Sequence, residues 1–456
     1  MEQRYDSPEV VTRAELFTDV IKVLAQENHD LCLLHGYLDF PESISSDIDA
    51  ISESPEQIPY ILSKNKVATI VQVLQHEATA FYYVLYRQGA VKPALIALDV
   101  SLDYRRNGRV FFRGEEFFQN CRPFKFFQVP TPQLEFAYYL VKKIAKGKLD
   151  ESHSQRLSDL YGEAPQACFE QLLRFFPEAD AQLISQAAQN RKWESVNHQM
   201  EHLRQAMLGK VGGENPLKVV HYWLEDLARR VRRILQPTGI AIAILGADGA
   251  GKSTVIAEVE KHLSPVFRRT QYIHLRPKLG IATSDNNTPV VNPHGQPPRS
   301  WLASILKLFY FLFDYCVGYL WKIYPQLVRS TLVIFDRYYY DIIADPKRYR
   351  YGASMWLVKW LAPLIPKPNL LIVLDAPPEV LQSRKEEVPF AETARQRDAY
   401  LQIAHSMSNA YVVDASMPIQ QVVTEVDTIV LDYMRNRTAK RFGLNNDSNP
   451  KSTLGN

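Results

Sequence analysis

A glycine-rich stretch in the middle of the chain has the residue types that bind phosphate groups. Residues 246–254 fit the pattern G-x-x-x-x-G-K-[ST]. Glycines let backbone N–H groups turn toward one point, where the amino end of a following helix adds positive potential. The lysine of the pattern can reach the outer phosphates of a nucleotide, and its serine can ligate Mg²⁺. The stretch therefore predicts a phosphate-binding loop that contains Gly246, Asp248, Gly249, Ala250, Gly251, Lys252, Ser253 and Thr254.

The elements around this loop have the order that such a loop requires. Residues 240–245 form a short apolar run without alternation, which is typical of a buried parallel strand. After the loop, apolar residues from Val255 to Leu263 recur at helical spacing. Further strands are predicted near 271–275, 331–336, 369–375 and 410–414, separated by helical patterns. We therefore expect an α/β domain over residues 236–436, with a five-stranded parallel sheet flanked by helices.

Other motifs of this half add a family resemblance. The triplet Asp336-Arg337-Tyr338 follows the third predicted strand, and Arg384 lies beyond the fourth. An R-x-x-Y pair, Arg397 and Tyr400, comes after it. Together with the phosphate loop, and with Arg276-Pro277 after the second strand, these residues resemble the thymidylate kinase family.

The resemblance implies a reaction and a division of roles. The γ-phosphoryl group of ATP would pass to a small phosphate-bearing acceptor, with a nucleoside monophosphate such as dTMP as first candidate. Such transfer needs charge neutralisation and alignment more than covalent help. Lys252 would neutralise phosphate oxygens, Ser253 and Asp336 would hold Mg²⁺, and Asp336 could instead orient the acceptor. Arg337 would grip the acceptor's anionic group, and Arg384 and Arg397 would bring positive charge from a lid.

Departures from the family pattern leave the acceptor open. Arg276 is not followed by Glu-Pro-Gly, the segment 278–300 is long and proline-rich, and residues 339–348 carry extra charges. These differences lie where the acceptor would be recognised, so a sugar or sugar phosphate stays an alternative. A regulatory NTPase with a nucleotide-sensing first domain is a second alternative, and a non-catalytic scaffold is a third.

Three aspartates near the amino terminus have the spacing of a metal site. Asp47 and Asp49 alternate on a predicted strand, and Asp99 lies inside a later strand. Preceded by His35-Gly36-Tyr37, they resemble the polymerase-β-type nucleotidyltransferase superfamily. That resemblance implies that the three aspartates bind Mg²⁺ and a nucleoside triphosphate in an α+β domain over residues 1–130. An active transferase and an inactive, merely binding relative are both left open.

The rest of the chain is predicted from composition and periodicity. Residues 131–235 carry helical patterns and are predicted to form a helical subdomain and linker, with flexible joints at 186–199 and 212–216. The arginines at 229–233 lack an aromatic stacking platform, so nucleic acid is not an expected partner. Residues 437–456 are predicted to be a disordered tail. A homodimer is left open.

Bulk properties favour a cytoplasmic protein of several domains. The chain has 456 residues, 46% of them hydrophobic and 23% charged, with a net charge of +3. Its four cysteines are scattered and the first residues show no signal peptide. One apolar segment, residues 301–324, is interrupted by Lys307, Asp314 and Lys322. Charges are costly at a bilayer centre, so a buried helix is predicted there and no membrane partner is expected.

Overall fold

The chain folds into two compact units. The structure is a computed structural model that describes residues 12–45, 47–89, 93–106, 109–211, 216–277 and 297–444. Unit 1 contains Met1–Arg230 and Thr438–Asn456, and unit 2 contains Val231–Arg437. The predicted regions 1–130 and 131–235 thus fall together in unit 1 up to residue 230, and unit 2 starts close to the predicted boundary at 236.

Unit 1 combines a mixed sheet with a set of helices. Seven of its strands form one sheet in the order β3-β4-β5-β2-β1-β9-β8, and β6 and β7 form a separate antiparallel pair. The strands are β1 (Cys32–His35), β2 (Asp47–Ile51), β3 (Thr69–Glu77), β4 (Ala80–Arg87), β5 (Ala94–Ser101), β6 (Tyr104–Arg106), β7 (Arg109–Phe112), β8 (Cys121–Phe124) and β9 (Phe127–Pro130). The helices are α1 (Arg13–Gln26), α2 (Ile58–Asn65), α3 (Gly114–Gln119), α4 (Pro132–Lys146), α5 (Glu151–Glu163), α6 (Pro165–Phe175), α7 (Glu178–Asn190), α8 (Glu194–His198), α9 (Met200–Lys210) and α10 (Pro216–Leu235), which ends in unit 2.

Strand alternation decides which side of the sheet carries the aspartates. In β2, Ile48 and Ala50 are buried in the core, while Asp47 and Asp49 face the other side. Strand β2 pairs in parallel with β5, and Asp49 is the register partner of Asp99. The predicted strands that carry the three aspartates are confirmed, and they are neighbours in the sheet.

The helices α4 to α9 share one apolar core. Their buried side chains pack with residues from β1 and from the β7–α3 region. The prediction of a flexible joint at 186–199 is wrong, because α7 and α8 cover most of it and Trp193 and Val196 are buried. The polar composition of the stretch favoured a flexible segment, but its few apolar residues are enough to pack it against the core. Residues 212–215 of the second predicted joint lie outside the described residues.

Unit 2 has the predicted parallel sheet. Five strands run in the order β11-β12-β10-β13-β14, and every neighbouring pair is parallel. The strands are β10 (Ile240–Leu245), β11 (Arg269–His274), β12 (Thr331–Asp336), β13 (Leu370–Asp375) and β14 (Ala410–Asp414). The helices are α11 (Lys252–Leu263), α12 (Trp301–Gly318), α13 (Tyr324–Val328), α14 (Asp341–Ala344), α15 (Met355–Leu361), α16 (Pro378–Arg384), α17 (Phe390–His405) and α18 (Ile419–Phe442), which ends in unit 1. All three strands nearest the loop are apolar and buried along most of their length, as continuous apolar runs predict.

Helix α12 differs from the prediction of a buried helix. It buries one face, which includes Leu308, Phe311 and Tyr315, and exposes the other. A turn of π-helix, Tyr319–Ile323, joins it to α13. Among the described residues, Trp301–Val328 is the one segment long and apolar enough to cross a membrane, and 33% of its most apolar window is buried. A helix packed on one layer can bury only one face, so its apolar length alone did not predict its exposure.

The last helix also extends beyond its predicted end. The tail was predicted from residue 437, whereas α18 continues to Phe442. Phe442 and Leu444 pack against the core of unit 1. Residues 445–456, the remainder of the predicted tail, lie outside the described residues.

Candidate functional site

The phosphate-type loop connects β10 to α11 in the centre of the parallel sheet. Gly246 and Gly249 have φ angles of 149° and 87°, a region that side chains disfavour. A Cβ atom on Gly249 would lie 2.4 Å from the carbonyl oxygen of Leu381, and one on Gly246 would lie 2.6 Å from that of Leu374. Both positions therefore require glycine for backbone shape and for close packing. The loop is consequently pressed against β13 and α16.

Lys252 is the first residue of α11 and lies inside the loop. Its side chain is buried, and Nζ donates to the carbonyl oxygens of Gly246, at 2.8 Å, and Ala247, at 2.9 Å. Burial, and then the nearby Arg337, lower the pKa of Lys252 to about 8. Ser253 follows it with an exposed side chain. The ammonium group is thus held against the backbone carbonyls of the loop.

Two other residues of the predicted loop complete its description. Ala250 is buried, and Thr254 is exposed on the first turn of α11. Gly251 caps this helix in a left-handed conformation, with a φ of 81°. The loop therefore ends directly at the amino terminus of a 12-residue helix, which supplies positive potential.

Asp248 connects the loop to two arginines. Its Oδ1 accepts from Nη2 of Arg337 at 2.7 Å, and its Oδ2 accepts from Arg348. Burial acts to raise the pKa of Asp248, but Lys252 and Arg337 outweigh it and hold the pKa well below its ordinary value. Arg348 also contacts Glu387 at 3.1 Å. The loop aspartate is therefore ionised and fixes the loop to the segments that follow β12 and α16.

Arg337 follows β12 in an unusual backbone conformation. Its φ is 72°, and its amide donates to the carbonyl oxygen of Ile244 at 3.1 Å. The buried guanidinium also contacts Asp341, whose carboxylate accepts from the hydroxyls of Tyr349, at 2.6 Å, and Tyr400. Arg337 is thus held by two carboxylates, and its fork is fixed beside the loop.

Asp336 ends β12, next to the strand that leads into the loop. Tyr272 donates to its Oδ2 at 2.8 Å, and Nδ1 of His274 lies 3.6 Å from the same atom. Its Oδ1 is buried and has no hydrogen-bond partner among the described residues. Burial acts to raise the pKa of Asp336, but the contacts from His274 and Tyr272 lower it overall. An ionised oxygen without a partner is costly unless a ligand uses it.

The two predicted lid arginines lie elsewhere. Arg384 ends α16 and donates to the carbonyl oxygen of Ala415 at 2.7 Å. Arg397 on α17 forms a two-bond ion pair with Asp375 at 2.7 and 2.8 Å. Neither hydrogen bond reaches the loop, so this structure does not bring Arg384 and Arg397 together with Lys252.

The comparisons place this geometry among known proteins. Residues 244–426 match the thymidylate kinase family. The matched segment begins inside β10 and includes the loop, Asp336, Arg337, Arg384 and Arg397. The segment that matches the family therefore coincides with most of the parallel sheet of unit 2 and the helices around it.

Individual relatives give the same assignment for this region. A probable thymidylate kinase 1 of Saccharolobus solfataricus is 29% identical over 195 residues, which cover 41% of this chain and 95% of the relative. A probable thymidylate kinase of Pyrobaculum aerophilum is 29% identical, with 42% and 97% covered. A thymidylate kinase of Xanthomonas campestris is 26% identical, with 48% and 94% covered. The chain thus spans nearly the whole length of these relatives with less than half of its own, and the comparisons support a kinase.

The three amino-terminal aspartates lie at a separate cavity in unit 1. Its volume is about 410 Å³, and Asp47, Asp49 and Asp99 all line it. Partial desolvation and the neighbouring Asp49 raise the pKa of Asp47. Strand pairing therefore brings the three predicted carboxylates to one cavity, as their spacing suggested.

A lysine enters that cavity from a distant helix. Lys142 of α4 forms an ion pair with Asp49, and both side chains are largely buried. Its ammonium also lies 5.4 Å from the ring centre of Tyr138. No group of three or more His, Cys, Asp or Glu side chains that could hold a metal occurs among the described residues. The ammonium group of Lys142 is thus the partner of Asp49 in this structure, and metal binding by the three aspartates stays a prediction.

Sequence reasoning missed several residues that complete these sites. Tyr272 and His274 alternate on β11, so they face the same side and meet Asp336 at the register pair His274–Asp336. The spacing of Tyr272 and His274 is visible in the sequence. Their contact with Asp336 follows only when β11 is known to lie next to β12. Lys142 carried no signal, because only the packing of α4 decides which of its faces meets the aspartates. Residues 278–296, most of the proline-rich segment that was predicted to lie near the acceptor, are outside the described residues.

Proposed function

We propose that the chain transfers the γ-phosphoryl group of ATP to a small phosphate-bearing acceptor, with a nucleoside monophosphate such as dTMP as first candidate. The observation that carries the proposal is the placement of two groups at adjacent strand ends. Lys252 lies in a glycine loop after β10, and the unpartnered Asp336 oxygen lies at the end of β12. Relatives named thymidylate kinases support the same choice of acceptor.

The loop residues would bind and neutralise the nucleotide phosphates. Lys252 donates to loop carbonyls, and a phosphate oxygen would take the place of these acceptors. Ser253 and Asp336 fit an Mg²⁺ ion, since one offers an exposed hydroxyl and the other an unpartnered carboxylate oxygen. When bound, the ion supplies further neutralisation of the transferring phosphate.

The arginines after β12 would orient the acceptor. Arg337 is fixed by Asp248 and Asp341, so its guanidinium cannot swing away when an anion approaches. A planar fork held in this way suits a phosphate or carboxylate group of the acceptor. Arg384 and Arg397 would contribute only if α16 and α17 move toward the loop, and their role stays part of the proposal.

ADP release with a panel of acceptors tests this function. Purified protein would be given Mg²⁺ and ATP with dTMP, other nucleoside monophosphates, sugars, sugar phosphates or no acceptor. Release that requires a nucleoside monophosphate is the expected result. A requirement for a sugar or sugar phosphate would assign the alternative kinase class. Release that is equal without any acceptor would contradict transfer and favour the regulatory NTPase.

A second candidate function concerns the cavity of unit 1. Its lining includes Asp47, Asp49 and Asp99, and also Lys142, Lys143 and Lys146 of α4. Lysines beside carboxylates suit a nucleotide whose phosphates meet the ammonium groups. We propose nucleoside triphosphate binding there, and the resemblance to nucleotidyltransferases implies transfer by the same unit.

Calorimetry on the full chain can assign such binding to unit 1. The variant Lys252→Ala would first weaken the phosphate loop, and nucleotide would then be titrated with and without Mg²⁺. Remaining binding that disappears in an added Asp47→Asn/Asp49→Asn change would support the candidate function. No remaining binding, or binding that ignores the double change, would contradict it and leave unit 2 as the one nucleotide-binding part.

A further inference from the structure

Helix α10 leaves the apolar side of its surface exposed. Seven large apolar side chains of the helix are between 43% and 73% exposed: Val220, Trp223, Leu224, Leu227, Val231, Ile234 and Leu235. An amphipathic helix of a globular protein ordinarily packs with its apolar side. The helix precedes residues 244–426, so its exposed side is not part of the segment that matches the thymidylate kinase family. Exposed apolar side chains in this number mark a binding surface.

The opposite side of α10 is polar and is held by hydrogen bonds. Tyr222 donates to Oε2 of Glu77 in β3 at 2.8 Å, and Nη1 of Arg229 donates to the carbonyl oxygen of Gln75 at 2.9 Å. From 220 to 236, the half-buried positions are 222, 226, 229 and 233, and the other residues are exposed. Steps of four, three and four place these positions on one side of a helix. The helix is therefore fixed by its polar side, and its apolar side points away from the contacts that hold it.

The apolar side has the repeat of a coiled coil. Steps of four, three, four and three connect Val220, Leu224, Leu227, Val231 and Ile234. Apolar residues in this repeat form a seam along which two helices pack with interlocking side chains. The seam extends over about four helical turns. The exposed side of α10 thus fits another α-helix that carries the same repeat.

The charges beside this seam differ between the two halves of the helix. Glu225, an exposed acid, lies in the amino-terminal half, whereas the exposed Arg230 and Arg232 lie in the carboxyl-terminal half. Within the chain, Glu225 pairs with His221 and Arg230 pairs with Asp226, each one turn away on the same helix. Two antiparallel copies of α10 bring each acid toward the arginines of the other copy, whereas parallel copies bring like charges together. The distribution of charge therefore favours an antiparallel pair.

A second copy of this chain fits the seam better than other occupants. The longer segments outside the described residues, 1–11, 278–296 and 445–456, have no apolar repeat of this spacing in their sequence. An anionic lipid surface would repel Glu225, whereas a second copy offers it arginines. Two such faces bury on the order of 1,000 Å² when they pack, which is the area that a specific interface needs. We propose that α10 pairs with α10 of a second copy of this chain in an antiparallel, two-fold symmetric coiled coil.

Light scattering of the full chain during size-exclusion chromatography tests the pairing. Leu224→Glu/Leu227→Glu should halve the mass of the particle, whatever number of copies the unchanged particle contains, because charges at the centre of the seam are costly to bury. Both leucines are exposed within the chain, so the changes leave its own packing intact. Tyr60→Glu, at an exposed aromatic residue of α2, should retain the mass of the unchanged chain. Circular dichroism checks that all variants keep the same helix content.

Two results would overturn the pairing. One is an unchanged mass of the folded Leu224→Glu/Leu227→Glu protein. The other is an unchanged mass together with binding to phospholipid vesicles that the same double change abolishes, because a lipid surface would then cover the seam.

Exchange of charges tests the antiparallel orientation. Glu225→Arg alone and Arg230→Glu alone should each raise the dissociation constant of the pair several-fold, measured as the loss of mass on dilution. The combined exchange should restore the dissociation constant, because the exchanged charges again face opposite charges in antiparallel copies. A combined variant that pairs no better than the single variants would overturn the antiparallel arrangement.

Discussion

Both units bring a lysine close to aspartates. The phosphate-type loop of unit 2 and the aspartate cavity of unit 1 differ in whether that lysine pairs with the key carboxylate. In unit 2, Lys252 donates only to loop carbonyls at hydrogen-bond distance, and Asp336 retains a buried oxygen without a partner. In unit 1, Asp49 is paired with Lys142, which reaches it from another element. The first site keeps polar groups that a ligand can satisfy, and the second satisfies one of its key carboxylates from within.

The difference shows that residue types do not decide binding capacity by themselves. A buried charge must find a partner, and the partner is either a ligand or another side chain of the protein. In unit 2 the hydrogen bonds of Lys252 go to backbone carbonyls of the glycine loop rather than to a carboxylate. In unit 1 an internal ion pair has to open before a cation can approach Asp49. Four measurements can break or sharpen this contrast.

The largest effect is expected from Lys252→Ala. If Lys252 meets the transferring phosphate, its loss should lower the rate of acceptor-dependent ADP release about 10²–10³-fold. Lys261→Ala, an exposed lysine on the same helix, should retain the rate. Steady-state kinetics and a thermal melt of both variants check this outcome. Near-normal turnover by a folded Lys252→Ala protein would contradict a role for Lys252 in binding the transferring phosphate, and with it the contrast between the two sites.

The second measurement removes the internal partner in unit 1. Lys142→Met leaves Asp49 buried without its ammonium group and should lower the free energy of unfolding by about 3 kcal/mol. Mg²⁺ should then raise the melting temperature of the variant, because the cation can replace the lysine. Lys146→Met, an exposed lysine one turn further along α4, serves as control. A Lys142→Met protein with unchanged stability and no response to Mg²⁺ would show that the ion pair is not what fills the site.

The third measurement uses the pKa of Lys252, which burial and Arg337 lower to about 8. Below that pH the group is an ammonium, and above it the free protein must take up a proton to bind a triphosphate. Affinity for ATP should therefore be nearly constant below pH 8 and fall by up to about tenfold per pH unit above it. Calorimetric titration over this range checks the slope. Lys252→Ala should show no such slope, and an equal slope in both proteins would assign the titration to another group.

The smallest effect is expected at Asp336. Tyr272→Phe removes one of the contacts that lower the pKa of this carboxyl, so the pKa should rise. Since the ionised form is the active one in the proposal, the acid limb of the kcat profile should move to higher pH. Tyr411→Phe, an exposed tyrosine on β14, should leave the profile in place. An unmoved acid limb in Tyr272→Phe would argue that Asp336 does not ionise during turnover.

Much of unit 2 could be predicted from local patterns. The apolar runs at 240–245 and 331–336 are strands, and the loop between the first of them and α11 has the expected order. Buried parallel strands leave a strong signal, because both of their faces are apolar. The strands that carry Asp47 and Asp99 were also predicted, and alternation correctly placed Asp47 and Asp49 on one side of their strand. The proposed roles of all these site residues stay predictions.

Other features could not be predicted because their causes are distant in the chain. The apolar sequence of 301–324 suggested a buried helix. In the structure α12 packs with one face only, and the packing of the surrounding elements decides that the other face is exposed. Arg384 and Arg397 follow a family-like spacing, but their partners are Ala415 and Asp375 in this structure. A long side chain reaches several positions from one Cα atom, so spacing alone does not choose its contact.

The sequence by itself determined the strand, the glycine loop and the helix that follows it, because these depend on neighbouring residues. It also determined that Asp47 and Asp49 share a face, since alternation within a strand is a local property. Only the tertiary structure decided that Tyr272 meets Asp336 and that Lys142 neutralises Asp49. Those contacts join residues 64 and 93 positions apart, and they depend on strand order and helix packing, which the whole chain sets.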